Sequence, residues 1–188
     1  MVEGKEFKAV DWREGKVILL DQTRLPGEES YLELDDWRKV GEAIRNMQVR
    51  GAPAIGIAAA YGIVLAAEAP DAAGEVERAC GELARARPTA VNLSWAVERM
   101  RRVARGTASG GLAQALLAEA HGIATQQDAA DHAIGSLGAE LLPQRCRVLT
   151  HCNAGGLATY SYGTALGVIK EAHRRGKEVF VWVDETRP

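Results

Sequence analysis

Aromatic side chains are scarce: Phe, Tyr and Trp make up 5% of the 188-residue chain. A core is therefore expected to be built from Ala, Val, Leu and Ile. The four tryptophans, Trp12, Trp37, Trp95 and Trp182, are scattered and form no ladder for stacked bases. A surplus of positive charge is also missing, since 23 Lys and Arg face 25 Asp and Glu for a formal charge of -2. Nucleic-acid binders usually carry a basic footprint, so no nucleic-acid partner is expected. The three cysteines, Cys80, Cys146 and Cys152, are odd in number and lack framework spacing. That suits a reducing compartment, the cytoplasm, and excludes a disulfide scaffold. No apolar run reaches the ~20 residues that span a bilayer. The Ala-rich stretch 52–67 is instead a buried helix, and the charged opening 1–10 has no signal-peptide core. His121, His132, His151 and His173 show neither an HExxH pattern nor close spacing to cysteine, so no metal site is expected. Internal repeats and low-complexity tails are absent as well.

What the chain has in excess is glycine, at 20 residues, well above the usual ~7%. Short strands are predicted at 7–10, 16–20 and 30–34, with turns at Arg13-Glu14-Gly15 and Pro26-Gly27, giving a small antiparallel sheet. Helices follow. Asp35 or Asp36 caps one running to about 48, and Pro53 stands in the first turn of the next, which runs to about 68. Two more cover 72–86 and 92–105. The glycine-containing stretch 106–111 is a linker candidate, and a long helical pattern fills 112–142 with a break expected near 122–128. A strand at 147–152, a helix at 155–175 and a strand at 178–184 make a parallel βαβ unit.

The expected fold class is therefore α/β. Residues 1–109 form a small sheet plus helical domain, 110–143 a connecting helical segment, and 144–188 the beginning of a parallel-sheet domain. A doubly wound sheet needs more than two strands. The sequence is accordingly expected to be the front part of a longer protein, or one piece of a two-chain assembly with a complementary C-terminal chain.

Four runs can carry chemistry. Thr150-His151-Cys152-Asn153-Ala154-Gly155-Gly156 lies where a strand gives way to a helix, the place where open α/β sheets bind ligands. First-turn amides there offer N–H groups to an anion and favour a thiolate at Cys152. Cys152 is either a nucleophile or general base, or an inert buried cysteine in a tight junction. Arg50-Gly51-Ala52-Pro53 places a cation just before a helix start, either as a phosphate grip or as a solvated corner. Arg87-Pro88-Thr89 is a loop with one cation and several hydrogen-bonding groups. Asp184-Glu185-Thr186-Arg187 closes the last strand on the same sheet edge as Cys152, and is a charged loop or a sugar-binding one.

Together with Val17 to Pro26, Met47 to Gly56, Leu149 to Gly156 and Asp184 to Pro188, these runs resemble the methylthioribose-1-phosphate isomerase family. The likeness covers essentially the whole chain, and Tyr162-Gly163-Thr164-Ala165-Leu166-Gly167 strengthens it. The wider superfamily includes ribose-1,5-bisphosphate isomerase and the regulatory subunits of initiation factor 2B, which are the two alternatives. The resemblance implies a helical N-terminal domain followed by a Rossmann-like sheet domain. It implies isomerisation of 5-methylthioribose 1-phosphate to 5-methylthioribulose 1-phosphate in methionine salvage. It places catalysis on Cys152, with an aspartate from beyond residue 188. Phosphate would be held by Arg50 and Arg87 and the backbone of Gly51 and Ala52, and the reacting end of the sugar would lie near Asn153, Ala154 and Gly155. A homodimer without organic cofactor or metal is the further implication.

Overall fold

The computed structural model of the protein describes residues 7–184. The Glu185-Thr186-Arg187-Pro188 run lies outside the described residues. Strands β1 (Val10–Arg13), β2 (Lys16–Leu20) and β3 (Tyr31–Leu34) form an antiparallel meander, with Val10 opposite Leu19 and Val17 opposite Leu34. The first strand starts at Val10 rather than at residue 7. Ala9 instead donates its N–H to Tyr160 O across the molecule at 2.9 Å, which draws this end of the sheet onto the second half of the chain.

Helix α1 (Trp37–Arg45) is capped by Asp36, whose carboxylate accepts from Arg38 N–H at 2.9 Å. It ends before Met47, which takes a positive φ of 58°. Helix α2 (Ala52–Ala66) has apolar residues on every side and is buried along nearly all its length, from Ala54 to Ala66. A helix without a polar face must be enclosed by neighbours. Helices α1, α3 (Ala72–Ala86), α4 (Val91–Gly106) and the start of α5 (Leu112–Leu141) all contact it. Small side chains such as Ala58, Ala59 and Ala60 let these neighbours come close, which is how a core so poor in aromatics fills its volume.

Two expectations need correction here. Helix α5 is continuous, with no break at 122–128. Ile123 and Ala124 belong to the core of the helical domain, and the same helix then carries Asp131, Gly135 and Ala139 against the second half of the chain. Gly122 gives no break because the next two residues, Ile123 and Ala124, pack into the core and hold the helical conformation. The second correction concerns the crossover. Helix α6 covers Ala165–Arg174 and not 155–175. Residues 151–164 form a compact loop, closed by an antiparallel bridge between Gly155 and Gly163. Gly163 sits at φ 91° with its α-carbon face against the Gly155 backbone, where a Cβ would lie 2.7 Å from Gly155 Cα. The small residues that imitate a helical pattern in sequence are needed for that backbone contact.

Strands β4 (Arg145–Thr150) and β5 (Glu178–Val183) are parallel, with Thr150 opposite Val183. Leu149, Phe180 and Trp182 are exposed on one sheet face. Helix α6 crosses between the strands and lies on α5, where Gly138 leaves room for Val168. Among the described residues no helix is long and apolar enough to cross a membrane.

Candidate active site

Strand β4 stops at Thr150, so His151 and Cys152 lie just past it rather than within it. His151 Nδ1 meets Asp184 Oδ2 at 2.6 Å, joining the carboxyl ends of the two parallel strands. Cys152 takes φ 65°, a left-handed conformation that is uncommon outside glycine, and it is exposed. Such backbone positions cluster at functional sites. The contrast with Cys80 is clear: that thiol is fully buried in α3, and burial pushes its pKa up to about 11.

The opposite wall comes from the helical domain. Gly51 precedes α2 at φ 100° and ψ 132°, a conformation open to glycine. It lies directly on the 151–164 loop, since a Cβ there would be 2.2 Å from Ala158 O and 2.3 Å from Ala158 Cα. Ala54 N–H donates to the same Ala158 O at 3.2 Å, and Ile55 N–H to Gly51 O at 3.0 Å. Pro53 has no N–H. Ala52 is thus the remaining donor of the first turn.

A third strap holds the two walls in register. Gln22 donates through Nε2 to Leu157 O at 2.7 Å, and its N–H donates to Gln48 O at 2.9 Å. Beside it Asp21 is buried and accepts from Thr23 and from Gln48 Nε2. Burial pushes the Asp21 carboxyl up, but the hydrogen bonds from Thr23 and Gln48 outweigh it and leave its pKa below the ordinary carboxylate value. The segment carrying Met47 and Arg50 is therefore tied to the same loop that carries Cys152.

Between these walls lies an open cleft of about 530 Å³. Arg50, Gly51, Ala52 and Arg87 line it from the helical side, and Cys152, Asn153 and Ala154 from the sheet side. Arg87 reaches it from the end of α3, where it is the residue following the last helical turn. Of the residues singled out in the sequence, Gly155 does not line the cleft. It is buried behind the wall, in its bridge with Gly163. The lining also includes Met47, Pro53, Ala158, Thr159 and Thr164, none of which the sequence singled out as a binding residue. Met47 and Pro53 flank Arg50 in sequence, whereas nothing in their spacing marks Ala158, Thr159 and Thr164, because the fold of the loop brings these three in. The expected helix start directly after Cys152 is replaced by the N-terminal end of α6, which enters the cleft at Thr164. Two cations, a thiol and two helix starts on one cleft suit a small anionic ligand with a reactive carbon between the walls. No carboxylate is among the described residues lining it.

The sequence profile of the initiation factor 2 subunit family matches residues 48–188. The chain is 53% identical over 191 aligned positions to methylthioribose-1-phosphate isomerase of Geobacter metallireducens, and 52% identical to that of Geobacter sulfurreducens. In both cases the match takes in 97% of this chain and 55% of the relative, so the chain spans about half the length of the relatives it matches. Among solved structures it resembles 5-methylthioribose 1-phosphate isomerase from Pyrococcus horikoshii OT3, with a TM-score of 0.89 and 37% identity over 96% of this chain and 53% of that one. It also resembles translation initiation factor eIF-2B, subunit delta, from A. fulgidus, with a TM-score of 0.84 and 40% identity over 96% of this chain and 55% of that one.

Proposed function

The chain belongs to the initiation factor 2 subunit family, and from that membership and the cleft we propose that it carries one half of the catalytic site of a sugar-phosphate isomerase. The substrate is 5-methylthioribose 1-phosphate and the product 5-methylthioribulose 1-phosphate. The observation that carries this reading is that Cys152 shares one cleft with Arg50 and Arg87. The relatives named methylthioribose-1-phosphate isomerase support the substrate.

The chemistry fits the two walls. The substrate phosphate, a dianion, sits against Arg50, Arg87 and the start of α2 at Gly51 and Ala52, where cations and a helix N-terminus add their fields. That fixes C1 and C2 near Cys152, with Asn153 and Ala154 beside them and Gly155 holding the loop in shape. Conversion of the cyclic aldose phosphate to the ketose breaks the bond from C1 to the ring oxygen and gives that oxygen a proton, moves hydrogen from C2 to C1, and removes the proton of the 2-hydroxyl as C2 becomes a carbonyl. In an enolate route the Cys152 thiolate takes the C2 proton. In a hydride route the hydrogen moves directly from C2 to C1, and the Cys152 wall keeps the reacting carbons away from bulk base. A carboxylic acid from the part of the protein beyond this chain protonates the ring oxygen. The reaction is redox-neutral and needs no organic cofactor or metal. A homodimer, or a complementary chain, completes the site, and the protein works in the cytoplasm.

The test is turnover by the whole protein that contains this chain. We expect 5-methylthioribulose 1-phosphate to form from 5-methylthioribose 1-phosphate, and C152S to lose at least about 100-fold in kcat, a typical proton-transfer contribution. Preference for ribose 1,5-bisphosphate, or no turnover of either sugar as for a regulatory initiation-factor subunit, overturns the assignment. Retention of a C2 deuterium at C1 selects the hydride route, and its washout the enolate route.

A further inference from the structure

Helix α6 begins in an unusual way. Its N-cap is Thr164, a residue type whose hydroxyl ordinarily accepts from the N–H two or three residues further on. Here the hydroxyl makes no capping hydrogen bond. The Leu166 N–H that it would take goes to Ala154 O at 3.3 Å. The Gly155–Gly163 bridge sets this up, because it places Thr164 across from Ala154, two residues past Cys152. The loop carbonyl does the capping, and the threonine side chain is released from it while lining the cleft. A second threonine on the same wall, Thr159, is 3% exposed, and its Oγ1 has no hydrogen-bond partner among the described residues. A buried hydroxyl left unpaired is costly, and since this Oγ1 is covered, a ligand recovers that cost only as the loop shifts to meet it.

The two walls thus differ in chemistry. The helical side offers charge, suited to phosphate. The loop side offers hydroxyl groups that both donate and accept, suited to the neutral hydroxyls of a sugar. We infer that Thr164, with Thr159 on the same wall, binds the sugar hydroxyls at the reacting end of the substrate, so that the cleft selects a furanose phosphate with those hydroxyls free. This rests on the isomerase reading above and adds to it which wall recognises which part of the substrate.

The experiment compares wild type, T164V and T164S in the whole protein, measuring kcat and KM for 5-methylthioribose 1-phosphate and the inhibition constant for inorganic phosphate. Removing the hydroxyl should raise KM about 3- to 10-fold, the range for one neutral hydrogen bond, and leave phosphate inhibition unchanged. T164S should restore the wild-type KM. T159V tests the second hydroxyl in the same way. The inference is overturned if KM stays at the wild-type value in T164V, if phosphate inhibition weakens by the same factor as KM, or if T164S behaves like T164V. It is also overturned if T164V and T164A both melt far below wild type, because Thr164 would then be holding the fold. A wild-type protein inactive on the sugar phosphate sinks the isomerase reading instead, and the two failures are distinct.

Discussion

Replacing Gly51 by alanine probes the place where the two walls of the cleft meet. At φ 100° and ψ 132° the backbone lies where a side chain is strained, a cost of about 1–3 kcal/mol. The added Cβ also falls 2.2 Å from Ala158 O and 2.3 Å from Ala158 Cα. Both are backbone atoms, so no rotamer change relieves the overlap, and overpacking adds about 1–3 kcal/mol. The sum is about 2–6 kcal/mol, a large part of the stability of an ordinary domain. The only relief is for residue 158 to retreat, which breaks the 3.2 Å hydrogen bond from Ala54 and parts the walls. Urea unfolding of the whole protein should therefore show a clear drop in midpoint for G51A, with a higher KM in whatever folds. The control is G81A in α3, where a Cβ meets nothing within 4 Å. It should stabilise by about 0.5–1 kcal/mol, because alanine suits a helix better than glycine. If G51A unfolds at the wild-type midpoint with unchanged KM, the account of this junction is wrong.

Three further outcomes are expected. In R87A the KM for the sugar phosphate should rise about 10- to 100-fold, as for a hydrogen bond to a charged group, with kcat less affected; equal KM values would remove Arg87 from the phosphate wall. Under native conditions a thiol reagent should modify Cys152 quickly and Cys80 only after unfolding, since the first is exposed and the second buried with its pKa raised to about 11; inorganic phosphate should slow the first reaction, and mass spectrometry identifies the labelled site. The third concerns acid. Glu75 is buried and accepts from Trp37 Nε1 at 2.9 Å, from Arg78 Nε at 2.7 Å and from Arg38, so these hydrogen bonds hold its pKa at about 2, against 4.5 ordinarily. A depressed carboxylate pKa stabilises the fold fully above the unfolded value, and that stabilisation is lost as pH falls from about 4.5 toward 2. The stability gap between wild type and E75Q should be widest near neutral pH and close across that window. A gap independent of pH refutes the assignment.

Much of the helical domain is legible in the sequence because its signals are local. Asp36 caps α1, Pro53 stands in the first turn of α2, and α3 runs over the 72–86 stretch that its periodicity marks. The parallel pair β4 and β5 is equally plain from its branched and apolar runs. The region around Cys152 is harder. Its glycines and alanines look helical in composition, and nothing in a linear reading reveals that Gly155 and Gly163 touch, or that Ala158 lies on Gly51. The first contact closes a short loop and the second joins residues far apart in sequence, and both depend on missing side chains rather than on present ones. Arg50, Arg87 and Cys152 could be named as candidates one by one, whereas Thr159 and Thr164 enter the cleft only through the loop's fold. The pairing of His151 with Asp184 is likewise a product of strand register.

Helix α5 has a bearing on all of this. One end is embedded beside α2 and the other lies under α6, so a single rod of 30 residues links both sides of the cleft. Its length acts as a spacer and its pitch as an angular gauge. Inserting one residue at mid-rod would turn one wall by about 100° and slide it about 1.5 Å, and inserting seven would restore the phase while displacing it by about 10 Å. Neither leaves Cys152 facing Arg50. Residue count along this helix is therefore as much a part of the binding geometry as any side chain, and chains that share the cleft should tolerate insertions in the surface loop before the rod and none within it.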